Sequence, residues 1–458
     1  MRKLLVIGLD SVPPLLIEKF RDLIPNLQSL LNVKGKLLSG HPPITVPMWG
    51  VMLAGRSAGE LGVYGFRHRR PGDVGTSYVV TSRSIAEGWV WDDLGLRLGL
   101  RSLVIGVPPG YPARRVRGWF VSCFLTPGVD GAFAWPPGLK REILKASGGD
   151  YVFDVKYRVE DKESVRKSLW RLAKTQFKVV KYLLSSKPWD FAMYMHIGTD
   201  RVHHAFWKYW DPEHPRYPGE GNPYENVLPE YYSLVDKHIG QLLESLPGDT
   251  DVIVVSDHGA KAMKGAFAIN QWLEEEGYLS LKEEPKRPGA DLEASMIDWD
   301  RTMAWAWGGY YSRVYINLKG REPRGIVGRE EYWSVVEQLK RDIEKIRGPN
   351  GERWENKAYH PSELYPEVRG DAPDLMVYLD NLSWRPAGTI GWPSTYLEEN
   401  DRGPDDAVHD WHGIIGGNAD VLKEAVKDST VPIQRVKEII LAHYGLESHM
   451  KDRGRGAV

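Results

Sequence analysis

Residues 252–259, Val-Ile-Val-Val-Ser-Asp-His-Gly, constrain the fold more than any other stretch of this 458-residue chain. Val252, Ile253, Val254 and Val255 are consecutive β-branched apolar residues. A run without a polar face predicts a strand buried on both sides, as in parallel sheets packed between helices. It stops abruptly at Ser256-Asp257-His258-Gly259. Open α/β sheets bind ligands beyond the carboxyl ends of their strands, where this carboxylate–imidazole pair falls. Two readings of the pair compete: a strand end closed by a turn glycine, or a ligand-bearing loop.

The preceding chain alternates strand and helix. Residues 4–9 predict a first buried strand ending at Asp10. Pro13 and Pro14 open a helix to about residue 31, with Leu15, Leu16, Phe20, Leu23, Leu27 and Leu30 at helical spacing. A short strand over 35–39 leads into His41-Pro42-Pro43-Ile44-Thr45-Val46-Pro47. The prolines fix a rigid turn and present Thr45 just ahead of a helix, where free N–H groups and the helix dipole suit a phosphate. Further strands are expected over 101–107, 119–125 and 190–197. Helices are expected over 89–98, 136–146, 162–185, 200–210 and 225–246. This alternation predicts an α/β fold: a mostly parallel sheet with helices on both faces. Asp10, Asp200 and Asp257 then end three strands at one edge.

Residues 260–370 differ in character. A helix over 267–278, a strand over 312–318 and an amphipathic helix over 329–347 predict a smaller, cap-like α/β insertion. Residues 375–379 read as a strand returning to the core. The expected organisation is a core of 1–259 and 371–445, an inserted subdomain of 260–370 and a charged tail of 446–458.

Charge excludes some partners. With 60 basic and 61 acidic residues the net charge is −1, which gives no whole-molecule attraction to nucleic acid or a membrane. The single cysteine, Cys123, excludes an internal disulfide and suits a reducing compartment. The first apolar run ends at Asp10 with no small-residue cleavage site after it, so it reads as a strand and not a signal peptide. No run approaches the roughly 18 apolar residues of a membrane span. The expectation is a soluble cytoplasmic protein.

The chemistry-bearing residues are few. Asp200 and His204 stand i, i+4 on a predicted helix, hence on one face, which suits a shared metal. Asp257 and His258 supply a second carboxylate–imidazole pair, Asp10 a third carboxylate and His409 a late imidazole. With the Thr45 hydroxyl these are enough for two divalent ions: Asp10, Thr45, Asp257 and His258 around one, and Asp200, His204 and His409 around the other. Two ions about 3.5–4 Å apart can clamp an in-line phosphoryl displacement. Mixed oxygen and nitrogen donors favour zinc, with manganese second, over calcium.

The order of these residues resembles the alkaline phosphatase superfamily, and within it the type I phosphodiesterase/nucleotide pyrophosphatase family. The matching strings are Ile7-Gly8-Leu9-Asp10, Pro42-Pro43-Ile44-Thr45-Val46-Pro47, Thr199-Asp200-Arg201-Val202-His203-His204, Ser256-Asp257-His258-Gly259 and Ala372-Pro373-Asp374-Leu375, with His409 four residues before Gly413. The resemblance covers nearly the whole chain. It implies an alkaline phosphatase-like fold and a metal-dependent hydrolase of phosphodiester or pyrophosphate bonds in a small phosphorylated substrate such as a nucleotide. It implies that Thr45, otherwise readable as a helix N-cap, is a nucleophile forming a phospho-threonine intermediate. It also selects His409 over His412 as the last ligand.

One position departs from the family. About twenty residues after the nucleophile these enzymes commonly carry an asparagine that holds the phosphoryl oxygen, and the comparable residue here is Phe66, which cannot donate. Arg67 or His68 could substitute. Trp49, Phe206, Trp207, Trp305, Trp307, Tyr310 and Tyr311 are candidates to stack a planar leaving group, against a packing role for each. The rival functions are a phosphomonoesterase, a phosphoglycerate-mutase-like phosphotransferase of the same superfamily, and a scaffold that binds without turnover. A sulfatase needs a cysteine or serine where Thr45 stands.

Overall fold

The computed structural model describes residues 2–31, 33–73, 76–86, 88–426 and 430–446. Its centre is a nine-stranded sheet. In chain order the strands are β1 (Lys3–Leu9), β2 (Val33–Leu38), β3 (Ser102–Ile105), β4 (Gly118–Val121), β5 (Ala134–Trp135), β6 (Phe191–His196), β7 (Thr250–Val255), β8 (His412–Gly417) and β9 (Thr430–Pro432). In space they run β9-β2-β8-β7-β1-β6-β3-β4-β5. The five strands β7, β1, β6, β3 and β4 are parallel neighbours. β8 runs antiparallel between β7 and β2. The Val252–Val255 run is buried as its composition requires, and β1 lies beside it with Val6 opposite Ile253.

Helices cover both faces of this sheet. Lys162–Ser186 is capped by the Asp161 carboxylate, which accepts from the Ser164 N–H, and buries Leu169, Leu172, Phe177, Val180 and Leu184. The expected helix over 14–31 is three pieces instead: Pro14–Lys19, a 3-10 turn Arg21–Leu23, and Pro25–Leu30. Pro25 has no N–H for a helical bond and its ring crowds the preceding turn, so the helix restarts there.

Ala304–Trp307, Ser312–Ile316, Leu375–Tyr378 and Lys357–Tyr359 form a second, wholly antiparallel sheet. The strand expected to return to the core, Leu375–Tyr378, is an inner strand of this smaller sheet. Its alternation explains the placement: Leu375 and Val377 join the smaller hydrophobic core with Val336, Leu339 and Ile343 of helix Tyr332–Glu344, while Met376 and Tyr378 face the main core. One face thus packs on each core. The helix expected from residue 267 is shorter, Ile269–Glu275, because Gly265–Ala268 is a strand paired with Trp384–Ala387. Apart from Leu446, the tail over 446–458 lies outside the described residues. Among the described residues no helix is long and apolar enough to cross a membrane.

Candidate active site

Asp10, Asp200 and Asp257 do meet at the carboxyl edge of the parallel strands. Asp10 follows β1, Asp257 lies two residues beyond β7, and Asp200 is in the first turn of helix Gly198–Trp210, which follows β6. Thr45 is the first residue of helix Thr45–Ala54. It is not the N-cap: Ile44 holds that place, and the Thr45 hydroxyl caps nothing. Instead Thr45 Oγ1 donates to Asp10 Oδ1 at 3.3 Å and lies 3.3 Å from His258 Nε2. His409 comes from strand Ala407–Asp410, which pairs antiparallel with Gly259–Ala262. That pairing lays its ring on His258, with centroids 3.9 Å apart.

The donors share one construction rule. Each carboxylate has one oxygen tied to the protein and the other turned inward. Trp49 Nε1–H donates to Asp10 Oδ2 at 2.7 Å, Arg201 to Asp200 Oδ2 at 2.7 Å, and the Ser11 N–H to Asp257 Oδ1 at 3.2 Å. Each imidazole has Nδ1 occupied and Nε2 turned inward. His258 Nδ1 contacts Gly259 O at 2.9 Å, His409 Nδ1 contacts Pro43 O at 2.7 Å, and His204 Nδ1 contacts Asp405 Oδ1 at 2.8 Å. A carbonyl or carboxylate at Nδ1 fixes the tautomer that leaves Nε2 as a bare lone pair, the form that ligates metals.

Asp200 Oδ1, Asp257 Oδ2 and His204 Nε2 are buried without a hydrogen-bond partner. Buried polar atoms are ordinarily satisfied, so unpaired oxygens on Asp200 and Asp257 beside close imidazoles fit a bound cation. The donor atoms of Asp200, His258 and His409 lie within 4.8 Å of one another, as do those of Asp10, Asp257 and His258. His204 Nε2 is 3.2 Å from Asp200 Oδ1. The charges are unevenly shared: burial would lower His204, but Asp405 and Asp200 hold it well above the ordinary histidine value. Burial, and then the neighbouring Asp200, pushes the Asp10 carboxyl well above the usual range, and burial with Asp10 does the same to Asp257. Burial pushes His258 down to about 4. Burial would also raise Asp200, but His204 and Arg201 hold it well below its ordinary value. A cluster of three buried acids and three imidazoles is the donor chemistry of a divalent cation, which removes the mutual repulsion.

The expected substrate contacts fare differently. His68 is 2% exposed, and its Nε2 accepts the Tyr64 N–H at 3.0 Å. Burial lowers it to about 3, so it is neutral and committed to its own loop, not to a phosphoryl oxygen. The Arg67 side chain is exposed and its carbonyl accepts from Arg313. Phe66 packs on Phe124. Of the aromatic candidates, Phe206, Trp207 and Trp305 are core residues, and Tyr311 bonds the Tyr64 carbonyl. Trp49 is fully buried and orients Asp10, which sequence alone does not indicate.

Other residues that hold the site have roles the sequence does not reveal. Asp154 grips Arg201 through both carboxylate oxygens, at 2.8 and 3.0 Å, and so fixes the guanidinium that holds Asp200. Asp405 lies behind His204. Tyr310, from the turn between two strands of the smaller sheet, stacks on His409 with centroids 4.0 Å apart. Adjacency to Asp200 was the one available hint for Arg201.

A mostly parallel sheet whose carboxyl edge joins acids, imidazoles and a buried hydroxyl is the arrangement of an alkaline phosphatase-like fold. The family model described as Type I phosphodiesterase / nucleotide pyrophosphatase matches residues 4–405, and the chain belongs to that family. Murine ectonucleotide pyrophosphatase / phosphodiesterase 5, in an inactive form in complex with AMP, is similar over 99% of this chain and 97% of its own, with a TM-score of 0.51 and 12% identity. Phosphonoacetate hydrolase from Sinorhizobium meliloti 1021, in complex with phosphonoformate, is similar over 96% of both chains, with a TM-score of 0.59 and 12% identity. The human form of ectonucleotide pyrophosphatase / phosphodiesterase 5 gives a TM-score of 0.51. At such identities the likeness is one of fold. No functionally curated protein matches the chain by sequence.

Proposed function

We propose that the chain hydrolyses a phosphodiester or pyrophosphate bond in a small phosphorylated compound, a nucleotide being the first candidate, with Thr45 as nucleophile. The observation that carries this is a pair of buried donor groups, one of Asp10, Asp257 and His258 and one of Asp200, His258 and His409, with Asp10 and His258 each 3.3 Å from Thr45 Oγ1. The residues fit two divalent ions, with Asp10, Thr45, Asp257 and His258 holding one and Asp200, His204 and His409 the other. Zinc is the first choice and manganese the second. Bound there, the ions would neutralise phosphoryl oxygens and favour the ionised threonine hydroxyl.

The protein's own part is positioning. The 3.3 Å contacts to Asp10 and His258 aim the Thr45 hydroxyl into the site. Helix Thr45–Ala54 points its N-terminus, with its free N–H groups, at the same place. Attack forms a bond between Thr45 Oγ1 and phosphorus as the bond to the leaving oxygen breaks; water then cleaves the phospho-threonine and frees phosphate or a phosphomonoester. AMP and phosphonoformate, the ligands of the two structural relatives, support a small anionic substrate.

The test compares bis-p-nitrophenyl phosphate with p-nitrophenyl phosphate, using zinc- or manganese-loaded protein and Thr45→Ala. Metal-dependent turnover favouring the diester, lost in Thr45→Ala with metal content unchanged, is expected. Near-native turnover by Thr45→Ala would overturn the nucleophile, and preference for the monoester would shift the assignment to a phosphomonoesterase.

A further inference from the structure

His204 is held more elaborately than the other two imidazoles. Asp405, 0% exposed, contacts its Nδ1 through Oδ1 at 2.8 Å. The second oxygen, Oδ2, accepts from Arg158 Nε at 3.0 Å and from the Tyr310 hydroxyl at 3.1 Å, and Arg158 Nη2 lies 2.9 Å away. Arg158 also donates to the Tyr310 oxygen at 2.6 Å. Arg385 lies over the Tyr310 ring, 4.5 Å from its centroid. The backbone at Asp405–Asp406 is fastened as well, since the Asp406 N–H donates to His204 O at 2.8 Å and the Arg216 guanidinium donates to Asp405 O at 2.7 Å. Arg158 and the Tyr310 hydroxyl donate to Asp405 Oδ2, Arg385 Nη1 lies 3.7 Å from the same oxygen, and the two guanidinium charges favour an ionised carboxylate facing His204 Nδ1.

We propose that Asp405 is a positioning residue of the metal centre: it fixes the His204 tautomer and ring angle and, with its charge, raises the basicity of His204 Nε2. Tyr310 braces it from the smaller sheet, so that segment completes the centre beyond merely covering it. The inference rests on the proposed two-ion site. Carboxylate–imidazole–metal relays typically contribute 10- to 100-fold in metal affinity. His258 and His409 have only neutral carbonyls at Nδ1, so the effect belongs to one ion alone.

The test is zinc binding by the full chain in competition with a chromophoric chelator, for the parent, Asp405→Asn and Tyr310→Phe. Asparagine can still accept the His204 N–H but carries no charge. One zinc site should weaken about 10- to 100-fold in Asp405→Asn, and the other should keep its affinity. Tyr310→Phe keeps the stacked ring and removes one brace; about a 2- to 10-fold weakening of the same site is expected, which carries the test where Asp405→Asn does not fold. Parental affinity at both sites in whichever of these variants folds overturns the inference. A parent that takes up neither zinc nor manganese overturns the proposed function, and the inference with it.

Discussion

Gly8 shows how one methyl group in a buried strand reaches the chemistry. A Cβ built there would lie 2.4 Å from Trp49 Cη2, 3.0 Å from Cζ3 and 3.3 Å from Cζ2. Carbon atoms pack at about 3.5–4.0 Å, so in Gly8→Ala the indole must retreat by about 1 Å. That ring donates to Asp10 Oδ2 at 2.7 Å, and the same shift carries the bond past hydrogen-bonding range. Overpacking costs about 1–3 kcal/mol, and a lost hydrogen bond to a charged group about 1.5–3 kcal/mol. Gly8→Ala should therefore destabilise by roughly 2.5–6 kcal/mol and lower turnover. Trp49→Phe removes the ring that clashes, and also the N–H and some packing. Denaturant unfolding of both single variants and the double variant closes the cycle: the double should be less destabilised than the sum by about 2.5–6 kcal/mol, because the clash is relieved and the hydrogen bond is lost only once. Additive losses, or a neutral Gly8→Ala, would refute the reasoning.

Zinc uptake just above the ordinary carboxylate range of about pH 4 should release protons, because Asp10 and Asp257 are held above that range without a cation and must ionise to ligate; calorimetry in buffers of different ionisation enthalpy reads this, and a buffer-independent heat would contradict it. For the chelated protein these two groups bind protons in the folded state at pH values where the unfolded chain has lost them, so their contribution to stability falls as pH rises above about 4. The opposite sign holds for His68 and His196, each depressed to about 3. Between about 6.5 and that value only the unfolded chain is protonated, so their contribution falls as pH falls, by about 1.4 kcal/mol per pKa unit at each site. His68→Gln should flatten the acid limb of the thermal midpoint; an unchanged limb would mean the ring is not neutral in the fold. Arg201→Met leaves Asp154 and Asp200 Oδ2 without their cation and should cost about 3–5 kcal/mol of stability, measurable by denaturant unfolding with and without zinc.

The sequence by itself determined the parallel core and the acids and imidazoles of the candidate site, because both rest on local information. The Val252–Val255 run can only be a doubly buried strand, and strands followed by helices place Asp10, Asp200 and Asp257 at one edge by chain direction alone. Motif order added Thr45 and His409. Only the tertiary structure decided what holds these donors in place. Trp49, Arg201, Asp154, Asp405 and Tyr310 each act through a hydrogen bond or ring contact with a residue elsewhere in the chain, and such contacts leave no period or spacing to read. The same reason explains the placements the sequence missed: Leu375–Tyr378 alternates in the same way whichever sheet receives it, and His68 could face a substrate or a backbone N–H until the loop closed on Tyr64. Periodicity fixes which side of an element is buried; the partner on that side is a property of the folded chain.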